Sequence, residues 1–274
     1  MIYPVWINGS EGACIDPADR GLAYGDGLFE TLRIEQGRPL FLEQHLSRLF
    51  DSCLYFGLAP DKEKLPRDFS CFLQASPAVC IAKIIVTRGV SGRGYLPDAA
   101  ALPTVIFSAH ALARYPDGFA LEGVTAGLCV QRLGQQPMLA GHKHLNRLEQ
   151  VLLRRELAGL DVEEALVCDP DGHVVEGVFN NVFLVRSGVL HTPRIETAGI
   201  WGVMRALVME QARVGGILVQ EGHYLPDDFL DADEVFFCNS VNGIWPVRRL
   251  FDRHWCPGPL TRQLQGFWQK SLSD

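Results

Sequence analysis

The sequence predicts an α+β chain in two domains, and three observations lead there. Leu42, Leu46, Leu49, Cys53 and Phe56 recur at the 3.6-residue period of a helix with one buried face. The β-branched run at 81–86 and the shorter run at 105–109 read as strands. Arg114-Tyr115-Pro116-Asp117-Gly118 is a proline–glycine turn between apolar runs, and it separates a smaller α/β domain, 1–114, from a larger one, 119–274. With 274 residues, 47% of them hydrophobic, the chain can supply one large core or two modest ones.

The net charge of -7 argues against general nucleic-acid binding and against an anionic membrane surface. An anionic substrate therefore needs a local cluster of arginines. No apolar run approaches membrane-spanning length, and Met1-Ile2-Tyr3-Pro4-Val5-Trp6 does not read as a signal peptide. Cys14, Cys53, Cys71, Cys80, Cys129, Cys168, Cys238 and Cys256 are scattered and mostly have apolar neighbours. They read as free thiols packed as small hydrophobes, which places the chain in the cytoplasm.

Taken in order, Tyr3 to Ile7, the turn Asn8-Gly9, and Ala13-Cys14-Ile15 suggest a hairpin. Asp19 to Thr31 holds three glycines around Tyr24 and Asp26, and a strand runs on from Phe29 to Ile34. Arg48 lies off the apolar stripe of the helix that follows, either reaching sideways or solvated. Arg88-Gly89-Val90-Ser91-Gly92-Arg93-Gly94-Tyr95 is rich in glycine, but no helix follows it, so a phosphate loop lacks its context. Two arginines on a flexible loop fit carboxylate recognition better, through bidentate forks worth about 1.5–3 kcal/mol per charged bond.

The lysine at 143 stands between two histidines in Gly141-His142-Lys143-His144-Leu145-Asn146-Arg147-Leu148-Glu149. Asn146 and Glu149 read as a capping-box variant, with Leu145, Leu148 and Leu152 at helical spacing behind them. A lysine just outside a helix start meets a positive local field and desolvation. Both favour the neutral amine that forms a Schiff base. A surface lysine before an ordinary helix is the plain alternative. His142 and His144 form half of a metal-ligand pattern, but no third ligand of suitable spacing accompanies them, so no metal is expected.

Strands are expected at 164–168 and 173–176, joined by Asp169-Pro170-Asp171-Gly172. Glu176 ends an apolar pair, and a carboxylate there is at least partly buried and needs a partner. A helix opens at Ile200-Trp201-Gly202-Val203-Met204-Arg205, where free N–H groups make an anion site. A strand at 233–238 leads into Asn239-Ser240-Val241-Asn242-Gly243, a turn presenting a hydroxyl.

A lysine, a half-buried glutamate, an arginine, a helix start and a turn serine are the groups that hold pyridoxal 5'-phosphate. Their order resembles the fold-type IV pyridoxal-phosphate enzymes, the branched-chain and D-amino-acid aminotransferase-like group. The resemblance covers nearly the whole chain and leans toward a lyase within the group. The Lys143 to Glu149 motif and the Arg88 to Tyr95 loop carry that leaning. It implies a two-domain fold with the cofactor in the interdomain cleft, the larger domain carrying the lysine and most cofactor contacts. It further implies Lys143 as the covalent lysine, Glu176 as partner of the pyridine nitrogen, and Arg48, the backbone of Val203 and Met204, and Ser240 as phosphate ligands. Tyr24, Arg88 and Arg93 become candidates for substrate binding. Two positions depart from the group: Leu148 stands where many relatives have a tyrosine, and Met204 where many have a threonine.

The reaction implied is cleavage of 4-amino-4-deoxychorismate to 4-aminobenzoate and pyruvate, on the route to folate, by a homodimer. Transamination of D-alanine or branched-chain amino acids is the alternative within the same group. A non-catalytic binding protein is the alternative outside it.

Overall fold

Asn8 and Gly9 take φ of 52° and 85°, and this left-handed pair closes β1 (Val5–Ile7) onto β2 (Ser10–Glu11). A two-residue turn sets Ile7 opposite Ser10, so the strand begins at once and not at 13–15 as expected. The computed structural model describes residues 3–273, which form two compact units. The first runs to Ala113 and includes His142–Asn146; the second is Arg114–Gly141 together with the chain from Arg147 on.

In the first unit, α1 (Arg20–Tyr24) is capped by the Asp19 carboxylate, which accepts the Gly21 N–H. Then come β3 (Gly27–Glu35), β4 (Arg38–Pro39), α2 (Leu42–Phe56), α3 (Lys64–Gln74), β5 (Cys80–Thr87) and β6 (Thr104–His110). The sheet is antiparallel, in the order β2-β1-β6-β5-β3-β4. Leu28, Leu32 and Ile34 of β3 alternate inward and meet Leu49 and Cys53 of α2 and Phe69 and Phe72 of α3 in one core. The sequence reading passed over α3. Its Pro66 falls in the first turn, where a missing N–H costs nothing.

The strand β4 pairs only with Ile34 and Glu35, which leaves the Gly27–Phe29 end of that edge open. His142–Asn146 fills it. His144 bridges Leu28, the Phe29 N–H donates to the Lys143 carbonyl at 2.9 Å, and the Leu145 N–H donates to the Gly27 carbonyl at 2.9 Å. The lysine segment is therefore bridged to the edge of β3 in the first unit, whereas the sequence reading placed it with 119–274.

The second unit contains α4 (Gly118–Leu121), β7 (Val124–Leu128), α5 (Leu148–Leu157), β8 (Glu164–Cys168), β9 (Val174–Gly177), β10 (Asn181–Arg186) and β11 (Val189–Pro193). After them follow α6 (Val203–Val214), β12 (Val219–Gly222), α7 (Pro226–Leu230), β13 (Glu234–Asn239), β14 (Gly243–Leu250), β15 (Arg253–His254) and α8 (Pro259–Ser273). Its mixed sheet runs β12-β11-β10-β13-β14-β7-β8-β9, with β15 beside β14. Phe183 and Phe236 stack across β10 and β13 with ring centroids 5.0 Å apart. Glu234 is buried where it caps α8: its carboxylate accepts the Leu260 and Thr261 N–H groups and the Thr261 hydroxyl.

The expected capping box does not form. The helix α5 begins at Leu148 with no side-chain cap; Asn146 donates to the Gly25 carbonyl, and Glu149 accepts the Gly134 N–H. Lys143 precedes the first residue of the helix by five positions in the chain. Leu153 and Leu157 are the buried face of α5, while Leu148, Val151 and Leu152 are exposed. All eight cysteines are free thiols. Among the described residues no helix is long and apolar enough to cross a membrane.

Candidate active site

In the first unit the backbone pairing with β3 aims Lys143, half-buried, over the ring of Phe29. Its Nζ lies 4.3 Å from the ring centroid. His142 is fixed beside it: the ring stacks on Tyr55 at 4.5 Å, meets the edge of Phe56, and shares a 2.9 Å hydrogen bond with the Ser52 hydroxyl. Burial lowers the His142 pKa, so the ring is neutral at physiological pH.

Arg48 reaches sideways from α2 and meets Glu30 on β3. Its Nε donates to Oε1 at 2.8 Å and its Nη2 to Oε2 at 2.5 Å. His45 Nδ1 lies 2.6 Å from Oε2 of the same carboxylate. Burial would raise the Glu30 pKa, but the Arg48 charge and the hydrogen bond from His45 outweigh it and hold it at about 2. Burial likewise lowers the His45 pKa more than Glu30 raises it. The result is a neutral imidazole donating to a carboxylate that also holds a guanidinium. Sequence reasoning missed Glu30 and His45. The signal was present: Glu30 falls on the inward positions of an alternating strand, with Leu28, Leu32 and Ile34, where a charge requires a partner.

The arginine loop is organised differently from the expectation. Arg88 is a brace: its Nε donates to Asp26 at 2.7 Å, and its Nη1 and Nη2 donate to the Gly57 and Phe56 carbonyls that end α2. These three bonds give Arg88 a bracing part in the fold, beside the substrate-binding role expected of it. Arg20, unremarked in the sequence, is buried and ties the loop down through the Gly94 and Tyr95 carbonyls and Asp26. Burial would raise the Asp26 pKa, and the hydrogen bonds and charges of Arg88 and Arg20 bring it down. Arg93 is exposed on this loop. Tyr24, partly exposed, lies under the Arg20 guanidinium and beside Tyr95.

In the second unit Glu176 is buried at the end of β9, and its Oε2 accepts the Ile200 N–H at 3.0 Å. Asn181, at the start of β10, donates to the Ile200 carbonyl at 3.0 Å. The two side chains hold the N–H and the carbonyl of one residue, Ile200, just before α6. Gly202 precedes the helix, and a Cβ there would lie 1.9 Å from Asn181 Oδ1, so the close approach requires glycine. It offers no capping side chain, and the first helical N–H groups belong to the buried Val203 and Met204. Arg205 turns away, to Glu221 at 2.6 Å and the Pro193 carbonyl at 3.0 Å. Ser240 stands on the turn after β13, where Asn239 Oδ1 accepts the Val241 and Asn242 N–H groups.

The first unit thus presents a lysine bridged to β3, and the second a buried carboxylate and an uncapped helix start. Residues 27–250 match the class IV amino-transferase family, and the chain belongs to it. Among its relatives, the aminodeoxychorismate lyase of Vibrio harveyi is 35% identical over 95% of this chain and 98% of that protein. A crystal structure of 4-amino-4-deoxychorismate lyase from Pseudomonas aeruginosa is 43% identical, with a TM-score of 0.94 over 98% of this chain and 100% of that one. A putative branched-chain-amino-acid aminotransferase of Methanocaldococcus jannaschii is 31% identical over 89% of this chain and 86% of that protein.

Proposed function

We infer that the chain is a pyridoxal-phosphate-dependent lyase that converts 4-amino-4-deoxychorismate to 4-aminobenzoate and pyruvate. The observation that carries this reading is the 43% identity with a 4-amino-4-deoxychorismate lyase over nearly the full length of both chains. The 31% identity with a putative aminotransferase makes transamination the second reading.

The residues fit the cofactor. The uncapped start of α6, with Val203 and Met204 N–H groups, suits a phosphate. Glu176 is an acceptor for a protonated pyridine nitrogen, and Lys143 supplies the amine. When bound, pyridoxal phosphate supplies an electron sink for a carbanion. Lys143, as the free amine, would take the proton from the amine-bearing ring carbon of the substrate. It or a neighbour returns a proton to the leaving methylene, and aromatisation draws the elimination forward. Glu176 would hold a proton on the pyridine nitrogen. Arg48, Val203, Met204 and Ser240 hold the phosphate. Tyr24 lines the substrate, and Arg93 meets one of its two carboxylates. The same reading takes 1–114 and 119–274 as the two domains and the working form as a cytoplasmic homodimer.

The test is purified protein with aminodeoxychorismate, followed by 4-aminobenzoate fluorescence. Appearance of the product with no added amino acid supports the lyase. No product, together with build-up of pyridoxamine absorbance on incubation with an amino acid alone, would replace it with the transaminase.

A further inference from the structure

The buried carboxylate of Glu164 has no part in the chemistry described above, yet it ends a chain of hydrogen bonds that begins at the Ser240 turn. Asn239 Oδ1 accepts the Val241 and Asn242 N–H groups at 2.9 and 2.7 Å. Asn239 Nδ2 donates to Asn180 Oδ1 at 2.7 Å, and Asn180 Nδ2 donates to Glu164 Oε2. The other carboxylate oxygen accepts the Ala165 and Val178 N–H groups at 2.9 Å each. Glu164 and Asn180 are both buried.

An amide side chain can turn over and exchange donor for acceptor, so two amides in series do not set their own direction. Here both ends set it. The turn offers only N–H donors, which require Asn239 to present its oxygen. Asn239 must then donate to Asn180, and Asn180 must donate onward. Only an acceptor closes such a chain, and the partners of Glu164 named above are all donors. Burial pushes its carboxyl up to about 7 against the hydrogen bonds from Ala165, Asn180, Val178 and Phe179, which lower it.

Resting on the reading of Ser240 as a phosphate ligand, we propose that Glu164 is a positioning residue for the cofactor phosphate. Its carboxylate fixes the donor–acceptor direction of the Asn180–Asn239 relay and thereby the turn that carries Ser240. The Val178 N–H bond lies just past β9, so Glu164 also steadies the strand end that bears Glu176.

The experiment compares binding of pyridoxal phosphate with binding of pyridoxal, at pH 8 where the carboxylate is ionised. Glu164→Gln keeps the shape but turns an –NH2 group toward Asn180. The relay must reverse and present a donor to the turn. The preference for pyridoxal phosphate over pyridoxal is expected to fall by about tenfold or more, the cost of an unmet buried donor. The double variant Glu164→Gln with Asn180→Asp restores the order, because Gln donates to Asp and Asp accepts from Asn239. It is expected to recover the wild-type preference within about threefold, well inside the tenfold loss of one hydrogen bond. Equal weakening toward both ligands would make Glu164 a general packing group and overturn the proposal, as would an unchanged preference. If the single variant does not fold, the double variant decides alone. A folded protein with wild-type preference supports the relay; failure to fold, or a fallen preference, overturns it. Wild-type protein that binds no pyridoxal phosphate would sink the functional reading itself, a result separate from any change caused by the variants.

Discussion

Arg48 grips Glu30 with two donors, Nε at 2.8 Å and Nη2 at 2.5 Å, so a helix cation and a strand carboxylate meet as a bidentate fork. The family resemblance assigns Arg48 to the cofactor phosphate. Glu30 then sets where that guanidinium stands, and His45 completes the carboxylate's partners.

The first prediction follows from this pair. Glu30→Gln removes the charge and leaves a mostly buried guanidinium without its counterion, at a cost of about 3–5 kcal/mol. The thermal midpoint should drop, and pyridoxal phosphate should bind more weakly. There is also a pH signature. The Glu30 carboxyl is lowered from 4.5 to about 2 in the folded state. Its stabilisation is therefore complete above pH 4.5 and is lost as the pH falls toward 2. Wild-type stability should decline over that window more steeply than that of Glu30→Gln. Parallel declines would mean that Glu30 is not the ionised partner of Arg48.

Lys143→Ala should remove both the absorbance band of covalently held cofactor and nearly all turnover. The backbone bonds of Lys143 and Leu145 to β3 do not involve the side chain, so the unfolding midpoint of cofactor-free protein should stay close to wild type. Retained lyase turnover in this variant would remove Lys143 from the chemistry.

Glu176→Gln keeps the shape and lets an amide oxygen take the Ile200 N–H, but it removes the negative charge that the proposed reading pairs with the pyridine nitrogen. Turnover should fall on the order of a hundredfold or more with cofactor still bound, as for the loss of a preorganised electrostatic partner. Unchanged turnover would leave Glu176 as no more than the clamp on Ile200.

The two loop arginines should separate cleanly. Arg88→Ala deletes the tie between Asp26 and the end of α2, so it should lower the thermal midpoint and affect activity only through that loss. Arg93 is exposed. Its change to Ala should leave stability alone and lower kcat/KM for aminodeoxychorismate by about ten- to over a hundredfold, the worth of one charged hydrogen bond. Loss of cofactor on Arg93→Ala would mean that the loop serves the phosphate instead. No change in either property would mark it as a solvated turn.

By itself the sequence determined what depends on near neighbours. The 3.6 period set α2 at Leu42–Phe56, the β-branched run set β5, Asn8-Gly9 set the first hairpin, and the lysine motif and its companions pointed to the family. Each of these is a local regularity, written in residues a few positions apart. Only the tertiary structure decided where polar groups find their partners. Arg88 and Asp26 are 62 residues apart, and Asn180 and Asn239 are 59 apart. No period in the chain encodes such a pairing. It follows from which strands become neighbours and which edges stay open. The open edge of β3 beyond β4 took up the lysine segment through a bridge at His144, a pairing that the segment's own neighbourhood does not encode. A buried carboxylate such as Glu30 or Glu164 is legible in advance only as a requirement for a partner. The closing of the sheets decides which residue meets that requirement, because the cost of an unpaired buried charge is paid only once the chain has folded around it.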